Sequence, residues 1–456
     1  MTAASELWAL FAEVGGAGWC SHPVRLSGRR LDRETGELEV GSVTIACKDR
    51  RWAVCPACSA LYKADAWQLV AAGLRGGKGV PSEVGAHPLL FVTLTAPSFG
   101  PVHARVRGND TALCHPRRRP EVCPHGVTLA CGQRHRVDDP VLGEPLCPRC
   151  FDYQGAVLWN AHVSRLWGRT TVATVRALAK EHGCSEKALR QVARLSFVKV
   201  AEFQLRGLVH VHAVIRGDGR EGPEEPAPSW LDTETMARAL TAAVESTTVI
   251  RIDGQRGVGW GKQLDIRRLD GTASGLDRNA PGVDGAGSVA VAGSAGRVEA
   301  IAAYVAKYAT KTSDGAGQLA RPLRSISDLD RLDLRPHLAE LVRTAWRLGT
   351  VSIYSDLRLR AHAHTFGYPG HFTTKSRRYS TTFGALRQAR ADYHGDAERE
   401  ALEVDGRWHY VGRGYDHPNG ERLAGVLFEA TRRAPGPFPG TSQSGSPAVP
   451  HSSDQA

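Results

Sequence analysis

The run Leu208-Val209-His210-Val211-His212-Ala213-Val214-Ile215 decides the reading of this chain. It is short, apolar and rich in β-branched residues, which predicts a strand. Alternate residues of a strand share a face. Leu208, His210, His212 and Val214 therefore point one way, and Val209, Val211, Ala213 and Ile215 the other. Two imidazoles on one face, ~7 Å apart along the strand, can converge on one cation. Two neutral ligands rarely suffice for a divalent ion, so a carboxylate is expected nearby. Phe197 to Phe203 predicts a second strand, joined to the first as a hairpin through Leu205-Arg206-Gly207. Glu202 is placed across that hairpin, and Gln204 shares its face as a fallback. Imidazole and carboxylate donors together suit magnesium or manganese with positions left open for phosphate oxygens. The plainer alternative is a pair of half-buried strand histidines with satisfied nitrogens.

About ninety residues on, the segment Arg297 to Lys311 predicts a helix with an apolar stripe at Val298, Ile301, Ala302, Val305 and Ala309. Residues four apart on a helix lie one turn above each other. Tyr304, Tyr308 and Lys311 are expected to form a stripe beside the apolar one, flanked by Lys307. A phenol has a pKa near 10 and is a poor nucleophile unless its charge is stabilised. A nearby ammonium and a cation-bound phosphate supply that stabilisation. The plainer alternative is two amphipathic tyrosines at a core edge with solvated lysines.

A chain of 456 residues allows two or three domains. Hydrophobic residues make 42 % and charged residues 23 %, the balance of a globular protein in water. A formal net charge of +11 favours a polyanionic partner without identifying one. No run of about eighteen apolar residues predicts a membrane span, and Met1 to Gly18 lacks the basic start and apolar core of a secretory signal. The expected compartment is the reducing cytoplasm, where the ten cysteines are available to metal. Cys55-x-x-Cys58 and Cys147-x-x-Cys150 carry the spacing that suits zinc. Cys20 and Cys47 could complete the first site; Cys114, Cys123, His125, Cys131 and His135 offer more candidates than a second ion needs. Two structural zinc sites are expected, against free buried thiols or a redox dithiol.

The linear organisation reads as an N-terminal Cys-rich, zinc-ribbon-like module at 1–85. A catalytic domain at 86–320 follows, with a Cys/His-rich insertion at 114–150 and a Gly/Ala/Ser-rich insertion at 271–296. A basic C-terminal region spans 321–433, and a Pro/Gly/Ser-rich tail 434–456. Further elements expected are a helix from Tyr62 to Leu74, a buried strand from Pro88 to Thr95, and helices at 157–167 and 170–193 broken near Gly168 and Gly183-Cys184. A helix at 233–247, a strand at 263–269 and helix at 326–349 complete the set. Lys375, Arg377 and Arg378 read as a phosphate-contacting patch, with a solvated basic face nearly as good a reading. A second His-x-His, His362 and His364, has basic flanks and no following tyrosine helix. The glycine run at 73–79 lacks the first Gly and the Ser/Thr of a P-loop, so no ATPase motor is expected.

The order PLLFVTLT, EFQLRGLVHVHAVI, YVAKYATK resembles the replication initiators of the His-hydrophobe-His (HUH) endonuclease superfamily, which serve rolling-circle plasmids and small single-stranded-DNA phages. The double tyrosine is similar to the phage type. TLTAPSFGPVH, CPHG and GHFTTKSRRYS are similar to plasmid initiators of high-GC Gram-positive bacteria, and the resemblance covers roughly residues 20–430. It implies an α+β fold with a five-stranded antiparallel sheet, packed helices, and the histidines on a central strand. It implies nicking of one strand at a plasmid origin through a 5′-phosphotyrosyl intermediate, then rejoining. The partners implied are single-stranded and double-stranded origin DNA, a host polymerase and, absent a motor, a host helicase. By position, His210, His212 and Glu202 would hold magnesium or manganese. Tyr308 aligns with the nucleophile of single-tyrosine relatives, Tyr304 may be a second nucleophile, and Lys307 and Lys311 would orient phosphate. The competing expectations are a transposase or relaxase of the same chemistry, or a zinc-ribbon DNA-binding regulator without catalysis.

Overall fold

The computed structural model describes residues 3–32, 38–105, 112–249, 257–269, 294–311, 318–393 and 402–433. The tail from 434, and the 271–296 insertion apart from the helix start at Ser294, lie outside the described residues.

The chain forms two compact units. One is drawn from Met1–Asp49, Cys55–Cys58 and Gly384–Ala456, the other from Arg50–Val54 and Ser59–Phe383. In the first, Val24–Asp32 is the central strand of a three-stranded antiparallel sheet, between Leu402–Arg413 and Leu38–Ile45. Helices Ala3–Gly16 and Gly420–Arg433 pack together in the same unit. Strand pairing therefore joins the two ends of the sequence, which the linear division into 1–85 and 321–433 keeps apart. Residues to Phe383 belong with the second unit instead. Pairing between strands so distant in sequence leaves no local pattern to read.

The second unit is built on five strands: β1 (Leu89–Leu94), β2 (Ala193–Phe203), β3 (Val209–Gly219), β4 (Leu264–Arg268) and β5 (Thr373–Lys375). Their order is β4-β1-β3-β2-β5 and every neighbouring pair is antiparallel. The histidine strand β3 is thus the middle one, as expected. Glu202 stands opposite His210, and Val200 and Thr93 flank His212 from either side. The hairpin turn closes by Gln204 N–H to Leu208 O (2.9 Å) and Gly207 N–H to Gln204 O (2.8 Å). Gly207 has φ +73, and a Cβ there would sit 2.3 Å from Leu341 Cδ1, so both backbone and packing demand glycine.

One face of this sheet carries Val209, Val211, Ala213 and Ile215 into the main core. That core includes residues of helices α1 (Tyr153–Glu181), α2 (Thr233–Ser246) and, later in the chain, Pro336–Leu348. Fully burying such a side chain stabilises by about 1.5–3 kcal/mol before entropy is counted, so the register that puts these four inward is strongly preferred. The other face carries His210 and His212 and receives helix α3 (Ser294–Ala309), which packs on β2. Buried Asn160 of α1 fixes the start of the histidine strand. Its side-chain oxygen accepts from Val209 N (3.1 Å), and its amide donates to Gly207 O (2.9 Å) and Phe366 O (3.1 Å).

Three expected elements differ. Of the two breaks expected, at Gly168 and at Gly183-Cys184, only the second is found: the helix runs unbroken from Tyr153 to Glu181 and a short helix follows at Glu186–Leu189. Gly168 is exposed with open space around it, so it costs only about 1 kcal/mol relative to Ala. Burial of Trp159, Leu166, Trp167 and Leu178 outweighs that. Residues 190–193 are not helical, because Ala193 opens β2. The helix expected over 326–349 is a 3-10 turn at Ile326–Arg331 and then α4 (Pro336–Leu348). Pro336 takes the first helical position and disfavours helix at the residue before it.

Candidate functional site

Glu202, His210 and His212 each present a donor atom, and these atoms lie within 4.8 Å of one another. Glu202 and His212 are buried and His210 is partly exposed, so the group opens through His210. His212 Nε2 lies 3.1 Å from Glu202 Oε2, and its Nδ1 lies 3.1 Å from Thr93 Oγ1. His210 Nδ1 lies 3.2 Å from the Gln204 amide nitrogen. The two rings stack at 4.7 Å. Burial alone would raise the Glu202 carboxyl. The bond to His212 and the Lys311 ammonium outweigh it and hold the group below its usual range. An ionised carboxylate beside two imidazoles is a donor set that fits a divalent cation. The Thr93 hydroxyl on His212 Nδ1 can accept the ring N–H, the arrangement that orients a metal-bound histidine, while the Gln204 amide nitrogen donates to His210 Nδ1.

Helix α3 delivers the tyrosines to this group. The Tyr308 ring lies 5.0 Å from His212 at 30°, and Tyr304 lies 5.1 Å from it edge-on. The two phenol rings are 4.5 Å apart, and Phe91 of β1 supports Tyr304 at 5.5 Å. Lys311 Nζ sits 4.4 Å over the Tyr308 ring and donates to Glu202 Oε1. Lys307 is exposed, with its Nζ 5.9 Å from the same ring. One expectation shifts: Tyr308 is only 4 % exposed and belongs to the buried stripe with Ala302, Val305 and Ala309, not beside it. Its ring packs on the sheet at His212.

Nine of the ten cysteines, with three histidines, form three groups of four donors, where two sites were expected. Cys20, Cys47, Cys55 and Cys58 converge in the first unit, with Cys20–Cys55 and Cys47–Cys58 sulfurs both 3.7 Å apart. Hydrogen bonding among these sulfurs pulls Cys20 and Cys55 down and pushes Cys47 and Cys58 up. In the second unit, Cys123, His125, Cys147 and Cys150 form one quartet, with His125 Nδ1 3.1, 3.7 and 3.9 Å from the sulfurs of Cys150, Cys147 and Cys123. His103, Cys114, Cys131 and His135 form the other. Each group could hold a zinc ion. A tetrahedral zinc puts its donors about 3.3–3.8 Å apart, and the separations found run from 3.1 to 3.9 Å. His103 was missed because it precedes the cysteine-dense window. Its only sequence signal is a histidine on the approach to Cys114.

In the expected basic patch, Arg377 and Arg378 are exposed and Lys375 is half-buried. Lys375 Nζ donates to Ser376 O (3.3 Å) and Arg377 O (3.0 Å), and Arg378 is paired with Glu221 at 3.3 Å. His362 and His364 lie at a 3-10 turn and not on a strand. No helix among the described residues is long and apolar enough to cross a membrane.

An antiparallel sheet with a His-x-His centre, a tyrosine helix and Cys/His quartets makes this a mixed α+β protein with side-chain groups that could hold metal ions. The chain belongs to a family described as replication initiator protein, pSAM2, whose pattern it matches over residues 7–429. It is 40 % identical over 425 residues to a replication initiator protein of Streptomyces ambofaciens, covering 89 % of this chain and 84 % of that relative. No solved structure matches. The expected resemblance to initiators of high-GC Gram-positive bacteria is supported at that level, as is a role in plasmid replication.

Proposed function

We propose that this initiator nicks and rejoins one strand of plasmid origin DNA through a tyrosine. One observation carries the reading: Glu202, His210 and His212 share a sheet face with Tyr304, Tyr308 and Lys311, although the tyrosine helix lies about ninety residues downstream. Chance packing of a core edge does not require two imidazoles, a carboxylate, two phenols and an ammonium in one place. Replication initiation by the family gives that arrangement a task.

A bound magnesium or manganese ion would polarise the phosphate and offset its charge. The protein's residues do the rest. Glu202, His210 and His212 would hold the ion, with Thr93 fixing the His212 ring. Lys311 stabilises the phenolate of Tyr308 as its proton leaves. The phenol proton passes to water, the Tyr308 oxygen attacks phosphorus, the bond to the 3′ oxygen breaks, and that oxygen takes up a proton from water and leaves as a 3′ hydroxyl. The 5′ phosphate stays on the tyrosine, so attack by a 3′ hydroxyl reverses the step without ATP. Tyr304, more exposed and beside the same imidazole, is suited to a second transfer. A host polymerase extends the 3′ end, and a host helicase separates the strands. Zinc ions at the Cys/His quartets serve structure, since four protein donors leave no open position. Arg377 contributes to DNA backbone contact.

The test uses labelled single-stranded origin DNA and the full chain. A covalent adduct that forms with Mn2+ and vanishes with chelator supports the reading. Tight binding with no adduct under any divalent cation would instead make the protein a non-catalytic DNA-binding factor.

A further inference from the structure

The quartet His103, Cys114, Cys131 and His135 is tied by hydrogen bonds to the 139–144 loop. His135 Nε2 faces His103 Nδ1 at 3.2 Å and Cys131 Sγ at 3.5 Å, and Cys114 Sγ is 3.9 Å from His103 Nδ1. The other nitrogen of His135 donates to Asp139 Oδ2 at 2.7 Å. A carboxylate behind a histidine raises its basicity and fixes its ring toward a metal.

From this quartet a chain of bonds runs to the catalytic hairpin. The second carboxylate oxygen of Asp139 accepts from Val141 N (3.0 Å), and Leu142 N–H donates to Asp139 O (3.1 Å), so one residue both orients His135 and closes the 139–142 turn. His103 then pairs with the residues after that turn in both directions: Gly143 N–H to His103 O and His103 N–H to Glu144 O, each 2.8 Å. Gly143 lies flush against the hairpin. It has φ +87, and a Cβ there would come within 2.6 Å of the Leu205 carbonyl carbon and oxygen. Arg335, just ahead of α4, bridges the two loops, donating to Leu142 O (2.6 Å) and to Leu205 O, with Glu144 3.4 Å away. His337 extends the brace, with its Nε2 on Arg206 O (3.0 Å) and its N–H on Glu144 (3.2 Å). Residues 204–208 join Glu202 to His210.

The geometry points to a zinc ion at His103, Cys114, Cys131 and His135 that braces the 204–208 turn through Gly143 and Arg335, and so sets the spacing of Glu202 from His210. This ion acts by position, not by touching the reacting phosphate. It rests on the proposed cation role of Glu202, His210 and His212, and the experiment separates the two ideas.

Three measurements on the full chain test it: zinc per chain by mass spectrometry of the metal, hydrogen exchange of the 203–212 amides, and Mn2+ affinity by titration. Cys114→Ser/His135→Ala is expected to lose one zinc equivalent, to speed exchange across 203–212 at least tenfold, and to weaken Mn2+ binding at least fivefold. Protection of α2 serves as the folding control. Should that variant unfold throughout, Arg335→Gln decides. It is expected to keep all its zinc and still show the faster hairpin exchange. Unchanged zinc content in the first variant, or a hairpin as protected as in the parent in the variant that decides, overturns the proposal. If the parent chain binds no Mn2+ at all, the cation reading of Glu202, His210 and His212 fails, while zinc content and hairpin exchange still judge the brace.

Discussion

The Tyr308 ring stacks on the His212 imidazole, 5.0 Å away and tilted by 30°. Tyr304 meets the same imidazole edge-on. Two phenols of different exposure thus share one imidazole, and they are expected to do different work. Tyr308→Phe should cut the first cleavage of origin DNA by at least about 100-fold, because loss of a nucleophile is not compensated by its neighbours. Tyr304→Phe should leave first cleavage within about threefold and impair rejoining. Single-turnover cleavage and rejoining assays on the same strand read both effects.

Thr93 is expected to matter without touching substrate. Its hydroxyl lies 3.1 Å from His212 Nδ1. Thr93→Val keeps the shape and removes the bond, and loss of such an outer partner typically costs 10–100-fold in metal affinity. Manganese titration should show weakening of about that size, with thermal stability shifted by no more than about 1–2 kcal/mol.

Lys311 joins two parts of the site, since its ammonium bonds Glu202 and lies 4.4 Å over the Tyr308 ring. Lys311→Met should slow adduct formation by about 10–100-fold, the equivalent of one charged hydrogen bond. Lys311→Arg should recover part of that. An effect confined to DNA affinity would show that Lys311 only attracts phosphate.

Acid should loosen the brace beneath the hairpin. Burial pushes His337 down to about 4 from its ordinary 6.5. The neutral ring donates to Arg206 O and lies 3.1 Å from the Tyr153 hydroxyl. Because the folded value lies below the unfolded one, the unfolded chain takes up more protons between pH 6.5 and 4. Stability is therefore full above pH 6.5 and falls as pH drops toward 4, by up to about 3 kcal/mol. Urea unfolding across that range should show the slope, and His337→Gln should flatten it.

The sequence disclosed what lies along one element and little of what joins elements. Period-two alternation placed His210 and His212 on one face, and the short turn at 205–207 was enough to bring Glu202 across to His210. Helical spacing set Tyr304 and Tyr308 on neighbouring turns, but the burial of Tyr308 came from packing on β3, which periodicity does not encode. Cys55-x-x-Cys58 was legible because its spacing is local. The partition of the 103–150 donors into two quartets depends on loop crossings between them, and so His103 went unseen. Asn160 and Arg335 were likewise invisible, since each acts on backbone oxygens far from it in sequence.

The most direct test of the tyrosine account is to trap the covalent complex with single-stranded origin DNA, digest it, and locate the nucleotide-bearing peptide by mass spectrometry. The account predicts the phosphodiester on Tyr308 or Tyr304 and no adduct from Tyr304→Phe/Tyr308→Phe. A nucleotide on any other residue, or an adduct undiminished in the double variant, would contradict it.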